Sequence, residues 1–167
     1  MKNSTLLICL LLFIIFFSGS CEDKSNPYGL NKEFPFMDYD SVMSNRPQND
    51  KPVLIYFNSI GCVNCRRLEK EIIKDKKTLK NLQEKYQFIN LYVDDRTRLD
   101  SSRWFETSTG SGRYYKNKGA ISGKVQFKIT QTASQPTFCI LDDSLNLRHL
   151  FFYGNREELY KKINESN

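Results

Sequence analysis

The chain has 167 residues, with 25 basic and 19 acidic side chains and a formal net charge of +6. This length accommodates one domain with a hydrophobic core but hardly two. The basic residues are dispersed over predicted helix faces, which is typical of a solvated surface, so we do not expect nucleic acid among the partners.

Residues 1–20 have the pattern of a secretory signal peptide. Lys2 precedes an apolar stretch from Leu6 to Phe17, and the small residues Ser18-Gly19-Ser20 follow it. The apolar stretch has 12 residues, whereas a membrane-spanning helix needs about 20. We therefore expect export, after which 147 residues and four scattered cysteines remain. Four such cysteines are too few for a disulfide scaffold.

Cys21 follows these small residues and resembles the lipid-attachment cysteine of bacterial lipoproteins, although Ser18 stands where the lipoprotein pattern prefers Leu. Residues 21–33 would then be a lipidated N-terminus and a polar tether. Cleavage that leaves a free Cys21 is the alternative. The expected location is the periplasmic side of the inner or outer membrane, or the cell surface, where disulfides form and persist.

Residues 34–167 are expected to form one α/β domain. In chain order the pattern predicts a short helix at 38–45, a buried strand at Val53–Phe57, a helix after Cys62, a second helix capped by Asp75, and a strand at Phe88–Val93.

Residues 96–123 lack a sustained period and are predicted to be an insertion that is partly a hairpin. Trp104 within it either pins the insertion to the core or contacts a partner. The remaining predicted elements are a short amphipathic segment at Lys124–Thr130 with Val125, Phe127 and Ile129 facing inward, strands at Thr137–Leu141 and Leu147–Tyr153, and a helix at Asn155–Asn164 capped by Asn155.

The motif Cys62-Val63-Asn64-Cys65 lies between a predicted strand and a predicted helix. In thiol–disulfide exchange one thiol attacks a partner disulfide, and a second thiol held close by resolves the mixed disulfide. A helix N-terminus favours the thiolate through its unpaired N–H groups and partial positive charge. The alternatives are a zinc site, which would need further ligands, and a structural disulfide. The strand–CxxC–helix order favours redox chemistry over both.

The order of these elements resembles the thioredoxin fold, with a central mixed sheet flanked by helices and an insertion before the cis-proline strand. Within that superfamily the chain is similar to the C-terminal thioredoxin-like domain of the thiol:disulfide interchange proteins that carry electrons across the inner membrane. The residues that match are Lys51-Pro52-Val53, the string from Cys62 to Glu69, Leu91-Tyr92-Val93-Asp94, and Gln135-Pro136-Thr137-Phe138.

The resemblance implies roles for five residues. Cys62 would be the exposed nucleophile and Cys65 the partly buried resolving thiol. Pro136 would be a cis-proline facing the disulfide and would leave backbone groups of Gln135 free to pair with an extended substrate. Glu69 would influence proton transfer near the cysteines. Its alternative is an acid placed where the first turns of a helix favour one.

Two positions depart from the superfamily pattern, and one further cysteine of the predicted domain lies outside the CxxC motif. Tyr56 stands where many members of the superfamily have a buried Asp, and Gly61 stands where Trp is usual before the first cysteine. These departures leave the proton handling and the potential of the pair open. Cys139, in a predicted buried strand, is expected to be a small packed hydrophobe rather than a second redox partner.

The sequence thus predicts a thiol–disulfide oxidoreductase that acts on protein disulfides, as a reductase or isomerase rather than an oxidase. We expect no metal and no cofactor beyond the Cys62–Cys65 pair, together with an unidentified electron donor and a membrane contact through the lipid. The main alternative is a non-catalytic exported lipoprotein that uses the fold as a binding module. A narrower one is a dedicated reductant for cytochrome maturation or for a peroxidase.

Overall fold

The computed structural model describes Leu30, residues 51–107 and residues 110–165. The predicted signal peptide, Cys21, the tether and the helix at 38–45 lie outside the described residues. No helix within the described ranges is both long enough and apolar enough to cross a membrane.

A mixed four-stranded sheet forms the centre of the domain, as the sequence predicts. Its strands are β1 (Val53–Asn58), β2 (Gln87–Tyr92), β5 (Thr137–Leu141) and β6 (Leu147–Phe152), in the order β2-β1-β5-β6. The β1 strand is parallel to β2 and antiparallel to β5, which is in turn antiparallel to β6. Every residue of β1 and β5 is buried, which explains their nearly continuous apolar sequences.

Helices cover both faces of the sheet. They are α1 (Val63–Lys74), α2 (Lys76–Lys85), α3 (Lys118–Thr130) and α4 (Arg156–Asn164). Alternate residues of β1 point to opposite faces. Leu54 and Tyr56 pack with residues of α1, α2 and α4, whereas Val53, Ile55 and Phe57 form a second cluster with residues of α3.

Cys139 belongs to the second cluster and is fully buried as a free thiol. Burial raises the pKa of this thiol to about 12, so it is protonated at neutral pH. Its surroundings are those of a packed small hydrophobe.

The two predicted helix caps have different outcomes. The Asp75 carboxylate accepts the N–H groups of Lys77 and Thr78 at 3.1 and 3.3 Å, which confirms the cap of α2. Asn155 directly precedes α4 but makes no side-chain cap with it. Its side-chain oxygen instead accepts the N–H of Phe152, because a 3-10 turn at Tyr153–Asn155 leads into the helix.

The region predicted as an insertion contains a 3-10 turn at Ser101–Arg103 and a hairpin of β3 (Phe105–Glu106) and β4 (Tyr114–Tyr115). The Trp104 indole donates to the Leu99 carbonyl at 2.9 Å. The side-chain cations of Arg98 and Lys116 lie 5.5 and 4.7 Å from the centroid of the ring. Trp104 therefore holds together residues of the same segment.

The predicted end of this region at residue 123 and the short segment after it are wrong. Both belong to α3, which begins at Lys118. Of the three residues predicted to face inward, Val125 and Ile129 pack against the second cluster, whereas Phe127 is 57% exposed. Several buried positions of this helix hold polar residues, namely Ser122, Gln126 and Thr130. The helix therefore lacks the apolar period from which its bounds could be predicted.

Candidate active site around Cys62 and Cys65

Cys62 is the N-cap residue of α1, immediately after the loop that follows β1. Its Sγ accepts the backbone N–H of Cys65 at 3.1 Å, and its own N–H donates to the Ser59 carbonyl at 3.1 Å. The unpaired N–H groups and partial positive charge of a helix N-terminus stabilise negative charge at this position. The local structure therefore favours a thiolate on Cys62 in the reduced protein.

Cys62 and Cys65 form a disulfide with a Cα–Cα distance of 5.3 Å, so the structure represents the oxidised protein. The two residues differ in accessibility, because Cys62 is partly exposed whereas Cys65 is 1% exposed. Within the described part of the chain, no group of three or more His, Cys, Asp or Glu could hold a metal ion.

Glu69 lies one helical turn after Cys65 on the buried side of α1 and is only 5% exposed. Its Oε1 atom is buried without a hydrogen-bond partner among the described residues. Burial raises the pKa of Glu69 to about 7, against the opposing charge of Arg66. A carboxyl with a pKa near the working pH is suited to exchange a proton with a neighbouring group.

Tyr56 fills the position where the resemblance would place a buried Asp. The ring is fully buried and stacks on Phe138 at a centroid distance of 4.1 Å, and its hydroxyl donates to the Cys65 carbonyl at 3.4 Å. Burial, followed by the charge of Glu69, raises the pKa of Tyr56 well above its ordinary value of 10.0. Tyr56 is thus a neutral packing group at neutral pH.

Asp94 holds the loop that leads to Cys62. It accepts the hydroxyl of Ser59 at 2.7 Å and the backbone N–H groups of Ile60 and Gly61 at 2.8 and 3.1 Å. Partial burial acts to raise the pKa of Asp94, but the hydrogen bonds together have the larger, opposite effect. The pKa of Asp94 therefore lies below its usual value. The carboxylate is therefore ionised at neutral pH and fastens the loop.

Sequence reasoning assigned no role to Asp94, although a signal was present. Asp94 follows β2, and β2 is parallel to β1 with Tyr92 opposite Asn58. Residues that follow neighbouring parallel strands meet at the same edge of the sheet. An acid after one strand and a catalytic loop after the other are therefore neighbours. Gly61, beside this contact, has ordinary van der Waals space for a Cβ.

The cis-proline loop lies beside the same edge of the sheet. The Gln135–Pro136 peptide bond is cis, as the resemblance predicts. The next residue, Thr137, pairs with Phe57 near the end of β1, so the loop is adjacent to the segment leading to Cys62. The side chain of Gln135 donates to the Ala133 carbonyl at 2.7 Å.

A mixed sheet between two helical layers, a CxxC disulfide at the start of α1, and a cis-proline loop beside it define a thioredoxin-like protein. The family comparison agrees, because the model of the thioredoxin-like domain matches residues 39–158. The chain belongs to this family. No curated protein matches the sequence.

Three solved structures resemble this chain at low sequence identity, and the first of them shows the same fold. A thioredoxin from Thermus thermophilus is 15% identical, with a TM-score of 0.51 over 77% of this chain and 82% of that one. A disulphide isomerase from Xylella fastidiosa Temecula1 is 12% identical, with a TM-score of 0.48 over 79% and 98% of the two chains. A thioredoxin-fold protein from Helicobacter pylori is 17% identical, with a TM-score of 0.44 over 69% and 81%.

The family fold and the Cys62–Cys65 disulfide together support activity as a protein-disulfide oxidoreductase. The structure places Cys62 at the N-cap of α1 and Cys65 and Glu69 within this helix, and it places Gln135 and Pro136 beside the sheet edge from which the Cys62 loop leaves.

Proposed function

We propose that the protein is an exported, membrane-tethered thiol–disulfide oxidoreductase that acts on disulfides of other proteins. The observation that carries this proposal is the asymmetry of the pair. Cys62 is partly exposed at a helix N-terminus, and Cys65, buried one turn later, is already bonded to it. That arrangement suits attack by one sulfur and resolution by the other.

The reaction begins with Cys62 as thiolate. Its sulfur bonds to one sulfur of the partner disulfide, the partner S–S bond breaks, and the second partner sulfur leaves as a thiolate. Cys65 then loses its proton and attacks the Cys62 sulfur, so that the bond between Cys62 and the partner breaks. The partner has gained two electrons, and the enzyme has lost two to form the Cys62–Cys65 disulfide.

Glu69 is the proposed acceptor of the Cys65 proton. It is buried on the same side of α1, one turn away, and its pKa is about 7. Tyr56 occupies the place of the usual buried carboxylate and stays protonated. The carboxylate needed for the resolving step is thus supplied by the helix rather than by the strand.

Gln135 and Pro136 are proposed to bind the substrate. The cis bond precedes β5 at the edge of the sheet next to the Cys62 loop. Neither backbone group of Gln135 is hydrogen-bonded within the described residues. An extended peptide could therefore pair with this backbone while its disulfide lies at Cys62.

The proposed direction is reduction or isomerisation, because the resemblance is to domains that deliver electrons, and an electron donor must then regenerate the dithiol. Export rests on the signal-peptide pattern of residues 1–20, and the membrane tether rests on acylation of Cys21. The proposals of export and of a membrane tether are therefore supported by the sequence alone.

Trapping of partners tests the activity. A Cys65→Ala variant expressed in the native cell should accumulate mixed disulfides through Cys62, visible as dithiothreitol-sensitive bands on non-reducing gels, because the resolving thiol is missing. The matched control is Cys139→Ala with the active pair intact, and it should trap nothing because resolution is retained. A Cys62→Ala, Cys65→Ala double variant should also trap nothing.

Absence of covalent partners from Cys65→Ala would contradict the exchange reaction. Non-covalent capture of the same partner by wild type and by the double variant would instead favour the binding module. The direction is tested by the reduction potential of the pair. A strongly oxidising potential, on the order of −120 mV, would contradict a reductase.

A further inference from the structure

The buried side of α3 carries a row of polar residues. Ser122, Gln126 and Thr130 follow one another at intervals of four, and each is less than 10% exposed. Residues four apart share one face of a helix, and the face that packs on a sheet is ordinarily apolar. A buried amide must be hydrogen-bonded to be tolerated, so the partners of Gln126 show what this row does.

Both polar atoms of the Gln126 side chain bind the cis-proline loop. The Nε2 atom donates to the Ser134 carbonyl at 2.7 Å, and Oε1 accepts from Nε2 of Gln135 at 3.0 Å. Gln126 is 1% exposed, so water does not replace either bond. The buried amide of Gln126 thus binds the side chain of Gln135, the residue before the cis-proline, and the backbone carbonyl of Ser134.

Two threonines complete the attachment of this loop. The hydroxyl of Thr130 donates to the Gln126 carbonyl at 2.8 Å and lies 3.3 Å from the Thr132 carbonyl. The hydroxyl of Thr137 donates to the Ser134 carbonyl at 2.6 Å. The Ser122 hydroxyl, in contrast, donates to Lys118 within the helix. Only part of the polar row therefore reaches the loop.

We propose that Gln126 is a positioning residue that holds the cis-proline loop in the conformation that accepts an extended peptide. It holds the side chain of Gln135 toward α3, while the Gln135 backbone makes no hydrogen bond within the described residues and stays available to a substrate. This inference rests on the proposed function. In this role Gln126 is a determinant of specificity. The enzyme would favour peptide disulfides, which pair with the loop, over small disulfides, which do not.

The test compares two substrates. One is an extended peptide with an internal disulfide, and the other is bis(2-hydroxyethyl) disulfide, which has no backbone to pair with the loop. For Gln126→Leu, which keeps a similar volume without the amide, kcat/KM should fall about tenfold or more with the peptide and change less than about threefold with the small disulfide. The matched control, Ser122→Ala, should leave both values unchanged.

A second variant, Gln126→Glu, tests the role of the donated hydrogen bond. A protonated carboxyl can donate to the Ser134 carbonyl, whereas an ionised one cannot and repels it. The ratio of peptide to small-disulfide kcat/KM should therefore be near that of wild type at low pH and fall as pH rises. Taking a ratio cancels the pH dependence of the Cys62 thiolate, which is common to both substrates.

The outcomes separate the two proposals. A wild-type protein that reduces neither substrate contradicts the proposed function itself. An active wild type with equal losses on both substrates in Gln126→Leu, or with no loss on either, overturns the role of Gln126 alone. A ratio for Gln126→Glu that does not vary with pH overturns it as well, even if Gln126→Leu fails to fold.

Discussion

The carboxyl group of Glu69 is buried and lacks a full set of hydrogen bonds within the described residues. Its neighbours on the buried side of α1 are Cys65 and Ile72, and its Oε1 atom has no partner among the described residues. Such a group destabilises the folded state when it is ionised. The protein retains it beside the resolving cysteine, which is consistent with a use in proton transfer.

Replacement of Glu69 by Gln should reveal this cost as a pH-dependent change in stability. The pKa of Glu69 is about 7 in the folded protein, whereas its ordinary value is 4.5. Between pH 4.5 and 7 the folded state therefore binds more protons than the unfolded state. The wild-type free energy of unfolding therefore falls as pH rises from 4.5 to 7, and the variant lacks this fall. In urea unfolding, the free energy of unfolding of the variant should rise relative to that of wild type by up to about 3 kcal/mol between pH 4.5 and 7.

Glu84→Gln is the matched control, because Glu84 is exposed on α2 and pairs only loosely with Lys80 at 3.8 Å. Its stability difference from wild type should stay flat over the same pH range. A flat difference for Glu69→Gln as well would contradict the raised pKa. If Glu69 takes the Cys65 proton, the same variant should also accumulate mixed disulfide during turnover.

At the level of elements, the N-terminus of α3 is hydrogen-bonded to the segment that follows β2. The N–H of Gly119 donates to the Asp95 carbonyl at 2.9 Å, and that of Lys118 donates to the Thr97 carbonyl at 3.0 Å. The helix approaches so closely that a Cβ on Gly119 would lie 2.6 Å from the Asp95 nitrogen and 2.7 Å from the Val93 carbonyl oxygen. Asp94, which lies between Val93 and Asp95 in the chain, holds the Cys62 loop.

Two glycines of α3 should therefore respond in opposite ways to alanine. Gly119→Ala forces backbone atoms apart and should lower the free energy of unfolding by about 1–3 kcal/mol. Gly123→Ala meets nothing within 4 Å and should raise it by about 0.5–1 kcal/mol, because alanine favours the helix. Thermal and urea unfolding measure both changes, and equal effects at the two positions would contradict the close approach.

At the level of the whole molecule, the proposed tether would decide where the catalytic domain works. Acyl chains on Cys21 would hold the mature N-terminus at a membrane, since each buried methylene contributes about 0.8 kcal/mol. Residues 22–33 would then separate the lipid from the domain. An exchanger held in this way meets only partners that are exported or that face the same compartment.

Substitution of the proposed acylation site tests this arrangement. Cys21→Ser should remove the acyl mass from the mature N-terminus and shift the protein from the membrane fraction to the soluble fraction. Ser20→Ala keeps a small residue before the cysteine and should leave both unchanged. Mass spectrometry of the purified protein and fractionation of cells provide the readouts. Unchanged mass and location in Cys21→Ser would argue for an unmodified N-terminus.

Much of the fold could be predicted because its signals are local. The predicted strand Thr137–Leu141 matches β5 residue for residue, and Val53–Phe57 falls one residue short of β1. Runs of apolar residues indicate strands that are buried on both faces, and Asp75 marks a helix start through hydrogen bonds with Lys77 and Thr78, close to it in the chain. The CxxC motif, likewise, is visible in four consecutive residues.

The buried polar contacts could not be predicted in this way. The sequence predicts only a short amphipathic segment at Lys124–Thr130 where α3 runs from Lys118 to Thr130, because Ser122, Gln126 and Thr130 occupy buried positions of this helix where periodicity arguments expect apolar residues. Their partners lie on the loop before β5, and only the packing of α3 on the sheet brings the two together.

The sequence by itself determined the strands of the central sheet and the redox pair, and it predicts export, because these signals depend on residues near one another in the chain. Only the tertiary structure decided that Asp94 holds the Cys62 loop, that Glu69 is buried enough to titrate near neutrality, and that Gln126 secures the cis-proline loop. Each of these depends on which elements pair and how deeply a side chain is removed from water, and both are properties of the packed molecule.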